Sequence, residues 1–345
     1  MEQIGMDVHK FESQICGYTS EEQILEQRIR TTRERLVEVF GARPRARILI
    51  EASTESEWVA RCLEELGHEV IVADPNYAPM YATLSRRVKT DRRDARALME
   101  ACRHGTYRPA HRLSEAQQRV RAQLAARDNL VHARVRLVGV MRALLRRQGL
   151  RVGAGSVESF GMRVQVVEKP AWLAETLEPL LAVLESIHQQ MRGVDRKIYQ
   201  LMKNDAAVGR LSSAPGVGPV TAAAFVATID QVARFKSARE VRSYLGLVPS
   251  ESSSAERQHR GAITKTGNRR MRSLLVEAAW CVLNSTRADA EALRSWGRRL
   301  AGRRGRQVAV VGLARRLAGI LYAMWRDERP FLAEPRSAPC GGGSR

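Results

Sequence analysis

Four carboxylates and one run of serines are the residues best suited to chemistry in this chain. Asp7 lies in QIGMDVHK, Glu51 closes the run ILIE, and Asp91 and Asp94 open DRRDARALMEAC. Asp91 and Asp94 are three apart, so a helix would carry them on one face, and a helix N-terminus helps to hold negative charge. Carboxylate oxygens are hard ligands. Four of them can hold two hard divalent ions of the kind that activate a water or hydroxyl and stabilise a phosphoryl transition state, and Mg²⁺ is the expected ion. Each carboxylate alone has a plainer reading. Asp91 and Asp94 could be caps paired with Arg92, Arg93 and Arg96, and Asp74 also follows a strand and competes for the same role. The run SESSS at 250–254, read by itself, is a solvated linker.

The elements that would position these groups follow from the apolar spacing. In residues 3–10, Ile4, Met6 and Val8 share one face of a short strand, and period two puts Asp7 on the other. SQICGY and ILEQRIR flank TSEEQ as a hairpin, a helix starts at Thr31 or Thr32, and ARILIEAS (46–53) reads as a central apolar strand. A helix over 55–67 ends at Gly67, a strand over 68–75 ends at Pro75, and Asp91 starts a further helix. This order describes a mixed sheet covered by helices, the α/β ribonuclease-H-like arrangement. There the first and fourth strands are neighbours, which brings Asp7 and Glu51 together.

Long helices are expected over 114–148 and 171–203. In the second, Leu173, Leu177, Leu180, Leu184, Ile187, Met191, Val194, Ile198 and Leu201 form a heptad seam. That seam serves equally an antiparallel hairpin within the chain or a coiled coil between chains; Pro179 would kink this helix or mark its true start. Residues 151–170 read as an aperiodic link. Pro215-Gly216-Val217-Gly218 precedes an Ala-rich helix, the helix-hairpin-helix-like layout used to approach a phosphate backbone, with a tight turn between helices as the plainer alternative. The expected organisation is an α/β domain over 1–110, a helical coiled-coil stalk over 111–205, a mainly helical domain over 206–330 and a disordered tail over 331–345.

Charge narrows the partner. The chain has 345 residues with 57 Lys and Arg against 37 Asp and Glu, a net charge of +20. A protein this basic takes an anionic partner, most commonly nucleic acid. Aromatic residues are only 5%, which favours phosphate contacts over base stacking. Lys10, Arg92, Arg93, Arg134, Gly216, Gly218, Lys265, Arg269, Arg270, Arg298, Arg299, Arg303 and Arg304 are the candidate nucleic-acid contacts. Five scattered cysteines form no metal-spaced or CxxC pair, the first ten residues read as a strand, and no continuous apolar run reaches the ~18 residues of a membrane helix. A reduced, cytoplasmic protein is expected.

Taken together, GMDVHK (5–10), IEAS (50–53), KTDRRDARAL (89–98), PGVGPVTAAAFVATI (215–229), RFKSAREVRSYLGLVPSESSS (234–254) and GAITKTGNRRMRSLLVEAA (261–279) resemble the IS110 family of transposases, the bridge-RNA-guided recombinases. The resemblance spans roughly residues 1–330. It implies a RuvC-like N-terminal domain whose Asp-Glu-Asp-Asp tetrad falls on Asp7, Glu51, Asp91 and Asp94. It implies a serine nucleophile at Ser254, with Ser253 the neighbouring register and Ala255 where Gly is usual. It further implies attack on DNA to give a phosphoserine ester, which conserves bond energy for rejoining, and guidance to donor and target duplexes by a structured bridge RNA. Homodimers that pair into a tetramer are the implied assembly. The competing readings are a metal-dependent nuclease such as a junction resolvase, without serine chemistry, and a non-catalytic nucleic-acid-binding protein.

Overall fold

The computed structural model describes residues 1–18, 24–81, 90–254 and 257–333, with 251–260 described by backbone alone. The expected turn over 19–23, Lys89, Ala255 and most of the expected tail, with Cys340, lie outside these residues. The chain divides into two compact units, Met1–Leu113 and Ser114–Arg345.

The first unit is built on β1 (Gln3–Val8), β2 (Glu12–Tyr18) and β3 (Ile24–Arg30), an antiparallel meander. Helix α1 (Arg33–Phe40) follows, capped by the Thr32 hydroxyl. Then come β4 (Arg47–Glu51), α2 (Ser56–Glu65), β5 (Glu69–Ala73) and α3 (Asp91–His104). β4 pairs parallel to both β1 and β5, so the sheet order is β3-β2-β1-β4-β5. This is a mixed sheet with β1 at its centre.

Strand periodicity decides which helix covers which face. Ile4, Met6, Val8, Ile48 and Ile50 pack with Leu36 and Phe40 of α1 and Val59 and Leu63 of α2. Leu49, between the two isoleucines, turns the other way to meet Leu98, Ala101 and Cys102 of α3. The face of β1 that carries Asp7 is therefore covered, and Asp7 itself is only 8% exposed. Gly5 makes this possible: a Cβ there would stand 2.1 Å from the Met99 backbone nitrogen and 2.2 Å from the Ala95 carbonyl oxygen. α3 rests on the bare backbone of β1.

The second unit begins with α4 (Glu115–Arg147), α5 (Phe160–Gln165) and α6 (Ala171–Met202). Val120 and Leu124 meet Ile198 and Met202 at one end, and Val138, Met141 and Leu145 meet Leu173, Leu177 and Leu184 at the other. The pair is thus an antiparallel hairpin, tied midway by Arg127 Nε donating to Asp195 Oδ1 at 2.6 Å. The heptad seam is buried within one chain. Its last residue breaks step: Leu201 is exposed and Met202 takes the buried place. Pro179 lies inside α6, which starts at Ala171, so it does not mark the helix start. The link expected over 151–170 contains α5, whose Phe160 and Val164 are buried against the hairpin.

Next come α7 (Ala206–Leu211), α8 (Pro219–Ile229), α9 (Ala238–Tyr244), β6 (Pro249–Ser254), β7 (Arg257–Ile263), α10 (Arg269–Asn284), α11 (Glu291–Arg304) and α12 (Arg306–Arg326). Every residue from Ala222 to Ile229 is buried, which is why α8 is so apolar. The polar stretch after α9 pairs as an antiparallel hairpin instead of forming a linker. α12 is long and apolar enough by length and mean hydropathy to cross a bilayer, although Arg315 and Arg316 interrupt its apolar run. Much of it is enclosed in this unit's own core, where Val310, Leu313, Ala314, Leu317 and Leu321 share one apolar cluster with residues of α8, α9 and α10.

Gly5→Ala should destabilise the chain by about 1–3 kcal/mol, because helix and strand must separate to admit a methyl group. Urea unfolding measures this; a stability equal to wild type would show that backbone contact between α3 and β1 is not a constraint.

Candidate active site

Three local features bring the carboxylates of the first unit together. Met6 and Ile50 are register partners on parallel strands, so Asp7 and Glu51 follow side by side at the strand ends. Thr90 caps α3, its hydroxyl accepting from Arg93 N–H, and this fixes the first turn that holds Asp91 and Asp94. The contact through Gly5 lays that helix over Asp7. Asp94 is 9% exposed and Asp91 lies at the rim.

His9, two residues after Asp7, completes a ligand-like group. Its Nε2 lies 3.1 Å from Asp7 Oδ2 and 3.6 Å from Asp91 Oδ1. One ligand atom from each of Asp7, His9 and Asp91 lies within 4.8 Å of the others. Tyr81 closes another side, its hydroxyl donating a hydrogen bond to Glu51 Oε2.

The electrostatics report the same convergence. Burial pushes the Asp7 carboxyl above the usual carboxylate range, His9 opposes the shift, and the charges of Asp94, Asp91 and Glu51 add to it. The Tyr81 hydroxyl is pushed up by burial, by its bond to Glu51 and by the charges of Glu51, Asp94 and Asp7. Carboxylates arranged this way repel one another until a cation joins them. The donors are mostly carboxylate oxygens with one imidazole at the rim, a set that fits a hard divalent cation such as Mg²⁺ or Mn²⁺.

Asp74, the rival carboxylate, is otherwise engaged. Burial raises its pKa, but hydrogen bonds from Asn76 and Arg108 outweigh burial and hold it below the usual range. The Asn76 backbone N–H donates at 2.9 Å and Arg108 Nε at 3.1 Å.

The other candidates divide. Ser254 is the last residue of β6, in register with Arg257 across the hairpin, and Ser253 faces Gln258. Lys10, Lys265, Arg269, Arg298, Arg299, Arg303 and Arg304 are exposed, and Arg92 is exposed while paired with Glu26. Arg93 also stands at the surface, with a partner. Two arginines depart from the expectation of an open phosphate contact. Arg134 is largely covered and donates to Glu158 at 3.0 Å. Arg270 is largely covered beside Asp128, and burial lowers its pKa.

The Pro215–Gly218 turn also departs in part. Gly216 has φ +75°, and a Cβ on it would stand 2.4 Å from the Ala278 carbonyl oxygen. Its bareness serves close packing on α10. Gly218 caps α8 with open space around it. His9 and Tyr81 are the site residues that sequence reasoning missed. Period two from Asp7 points to His9, whereas Tyr81 lies 30 residues from Glu51 and carries no spacing signal.

Asp7→Asn should raise the melting temperature in the presence of a chelator. A carboxyl whose folded pKa is raised loses stabilisation as pH rises through that value. The gain should therefore be largest at neutral pH and shrink as wild-type Asp7 protonates in acid. A lower melting temperature at neutral pH would contradict the repulsion.

Comparison with known proteins bears on what the site belongs to. Residues 4–148 match the family model described as transposase, DEDD type of IS110, and residues 208–294 match the transposase IS116/IS110/IS902 family. A family 20 transposase of Pseudomonas aeruginosa, named as probable, is 30% identical over 95% of this chain and 98% of its own length. The transposase for insertion sequence element IS1111A of Coxiella burnetii is 26% identical over 95% of this chain and 90% of its own. That for IS1328 of Yersinia enterocolitica is 25% identical over 86% and 89%. With both family models matched in order and a relative similar along nearly its whole length, the chain belongs to the IS116/IS110/IS902 family of transposases.

Proposed function

We propose that this transposase cuts and rejoins DNA through a phosphoserine intermediate, with the carboxylates of the first unit as its cation site. The observation that carries the reading is the convergence of Asp7, Glu51, Asp91 and Asp94 around one buried carboxyl, with His9 at the rim. On this reading the first unit is a ribonuclease-H-like, RuvC-like domain, and the tetrad holds one or two Mg²⁺ ions. A bound divalent cation would neutralise charge on the phosphate under attack and favour deprotonation of the attacking hydroxyl.

The residues of this chain have distinct duties. Asp7, Glu51, Asp91 and Asp94 bind and orient the cation, and Tyr81 fixes one Glu51 oxygen through its hydrogen bond. The Ser254 oxygen attacks a DNA phosphorus and loses its proton. The bond from phosphorus to the 3′ oxygen breaks, and that oxygen leaves as a free 3′ hydroxyl. Attack by another 3′ hydroxyl on the ester restores the DNA and returns the proton to serine, so rejoining needs no nucleotide cofactor. Exposed Lys265 and Arg269, in and beside the loop that follows the β6–β7 hairpin, are suited to hold backbone phosphates. Arg298, Arg299, Arg303 and Arg304 add exposed positive charge on α11.

The net charge of +20 supports partners rich in phosphate, namely donor and target duplexes and a structured bridge RNA that selects them. Homodimers pairing into a tetramer would bring two duplexes together, acting in the cytoplasm at the chromosome.

Purified protein with Mg²⁺, the flanking RNA of the element and an end-labelled junction duplex should give a protease-sensitive protein–DNA adduct on a denaturing gel. Both Ser254→Ala and Asp7→Ala should reduce the adduct by about 100-fold or more. Cleaved DNA without adduct, indifferent to Ser254→Ala but abolished by Asp7→Ala, would leave a metal-dependent nuclease in place of serine chemistry. Mg²⁺ should also raise the melting temperature of wild type but not of Asp7→Ala, since binding to the folded state alone stabilises by mass action.

A further inference from the structure

We propose that a recess at the turn end of the α4–α6 hairpin binds the phosphodiester backbone of a single nucleic-acid strand. This extends the nucleic-acid partnership of the preceding reading and does not depend on serine chemistry. The recess has a volume of about 930 Å³ and is lined by Arg142, Arg146 and Arg151 with Gly149, Gly153 and Gly155 among its backbone walls. Among the described residues, no carboxylate and no aromatic side chain lines it.

The loop that forms the recess is held in shape. Arg163 of α5 donates to the carbonyl oxygens of Gly153 and Ser156. A Cβ on Gly155 would stand 2.8 Å from Arg163 Nε, so a side chain there would disturb that brace. Gly149 leaves α4 with φ +71°. The Arg142 guanidinium lies 5.3 Å from the centre of the buried Phe160 ring, which restrains it over a fixed surface.

Charge points to the ligand. Arg142 and Arg146 are at i and i+4 on one face of α4, where like charges repel. Arg146 in the last helical turn offsets the negative end of the helix dipole. Arg142 lies earlier and Arg151 beyond the helix, so the dipole does not account for them. Three guanidinium groups around one recess suit an anion with several oxygens, and arginine forks suit phosphate best. The recess is of ligand-site size, yet without aromatics it offers bases nothing to stack on. Its occupant is therefore held by backbone. A duplex presents its phosphates along a convex cylinder, whereas a single or looped-out strand can bend into a concavity.

The test uses the full chain in chelator, so that no cutting intervenes. Fluorescence anisotropy follows binding of an unstructured RNA of about 30 nucleotides, a DNA of the same sequence and the matching duplex, across a salt series. Arg146→Gln/Arg151→Gln should weaken single-strand binding about 5- to 10-fold. It should also flatten the slope of log affinity against log salt by about 0.7 for each phosphate that the protein ceases to neutralise. Arg136→Gln/Arg147→Gln removes the same charge from exposed positions of α4 outside the recess and should do neither. Weakening on RNA alone or on DNA alone supports the recess and assigns the strand to that polymer. Equal weakening in both double variants, or weakening confined to the duplex, would overturn the proposal. Circular dichroism melts check folding, and Arg151→Gln alone, in the loop, repeats the test without altering a helix.

Discussion

The close approach of α3 to β1 is the contact on which the first unit depends. It is made backbone to backbone at Gly5, with no side chain as spacer. That contact sets the height of the first turn of α3 above the sheet, and so the distance of Asp91 and Asp94 from Asp7. The hydrophobic contacts of Ala95, Leu98, Met99 and Cys102 hold together a place where carboxylates repel. Core packing thus offsets an electrostatic cost that a bound cation would remove.

Much of this was legible because it is local or periodic. The alternation in β1 put Asp7 opposite Ile4, Met6 and Val8, and the i, i+3 spacing put Asp91 and Asp94 on one helix face. The neighbouring positions of β1 and β4 followed from the order of elements. What escaped depends on long-range contacts. Nothing in the spacing says that the Asp7 face is covered, because the permission lies in a missing Cβ at Gly5. Tyr81 reaches Glu51 from a short turn of helix, and the pairing of β6 with β7 joins segments that individually look like polar linker.

The second unit shows how composition conceals burial. The arginines look equivalent in sequence, yet Arg134 and Arg270 are drawn into packing while Arg298, Arg299, Arg303 and Arg304 of α11 stay exposed. The heptad seam of α6 is equally consistent with one chain or two, and here Met141, Leu145 and their neighbours on α4 occupy it. The apolar character of α8 and α12 reflects a shared core. Glycines divide in the same way: Gly216 is needed for contact with α10, whereas Gly218 faces open space.

The division of the chain after Leu113 has a genetic consequence. All four carboxylates are encoded before that point, and the serine run is encoded well after it. A stop codon or frameshift in the middle of the gene would leave the carboxylates and remove the serine run, which on the proposed reading divides the cation ligands from the nucleophile. On the proposed reading, a missense change among the carboxylates and one in the serine run would damage different chemical capacities, so a mixture of copies carrying one lesion each would show whether the two capacities can come from different copies of the chain.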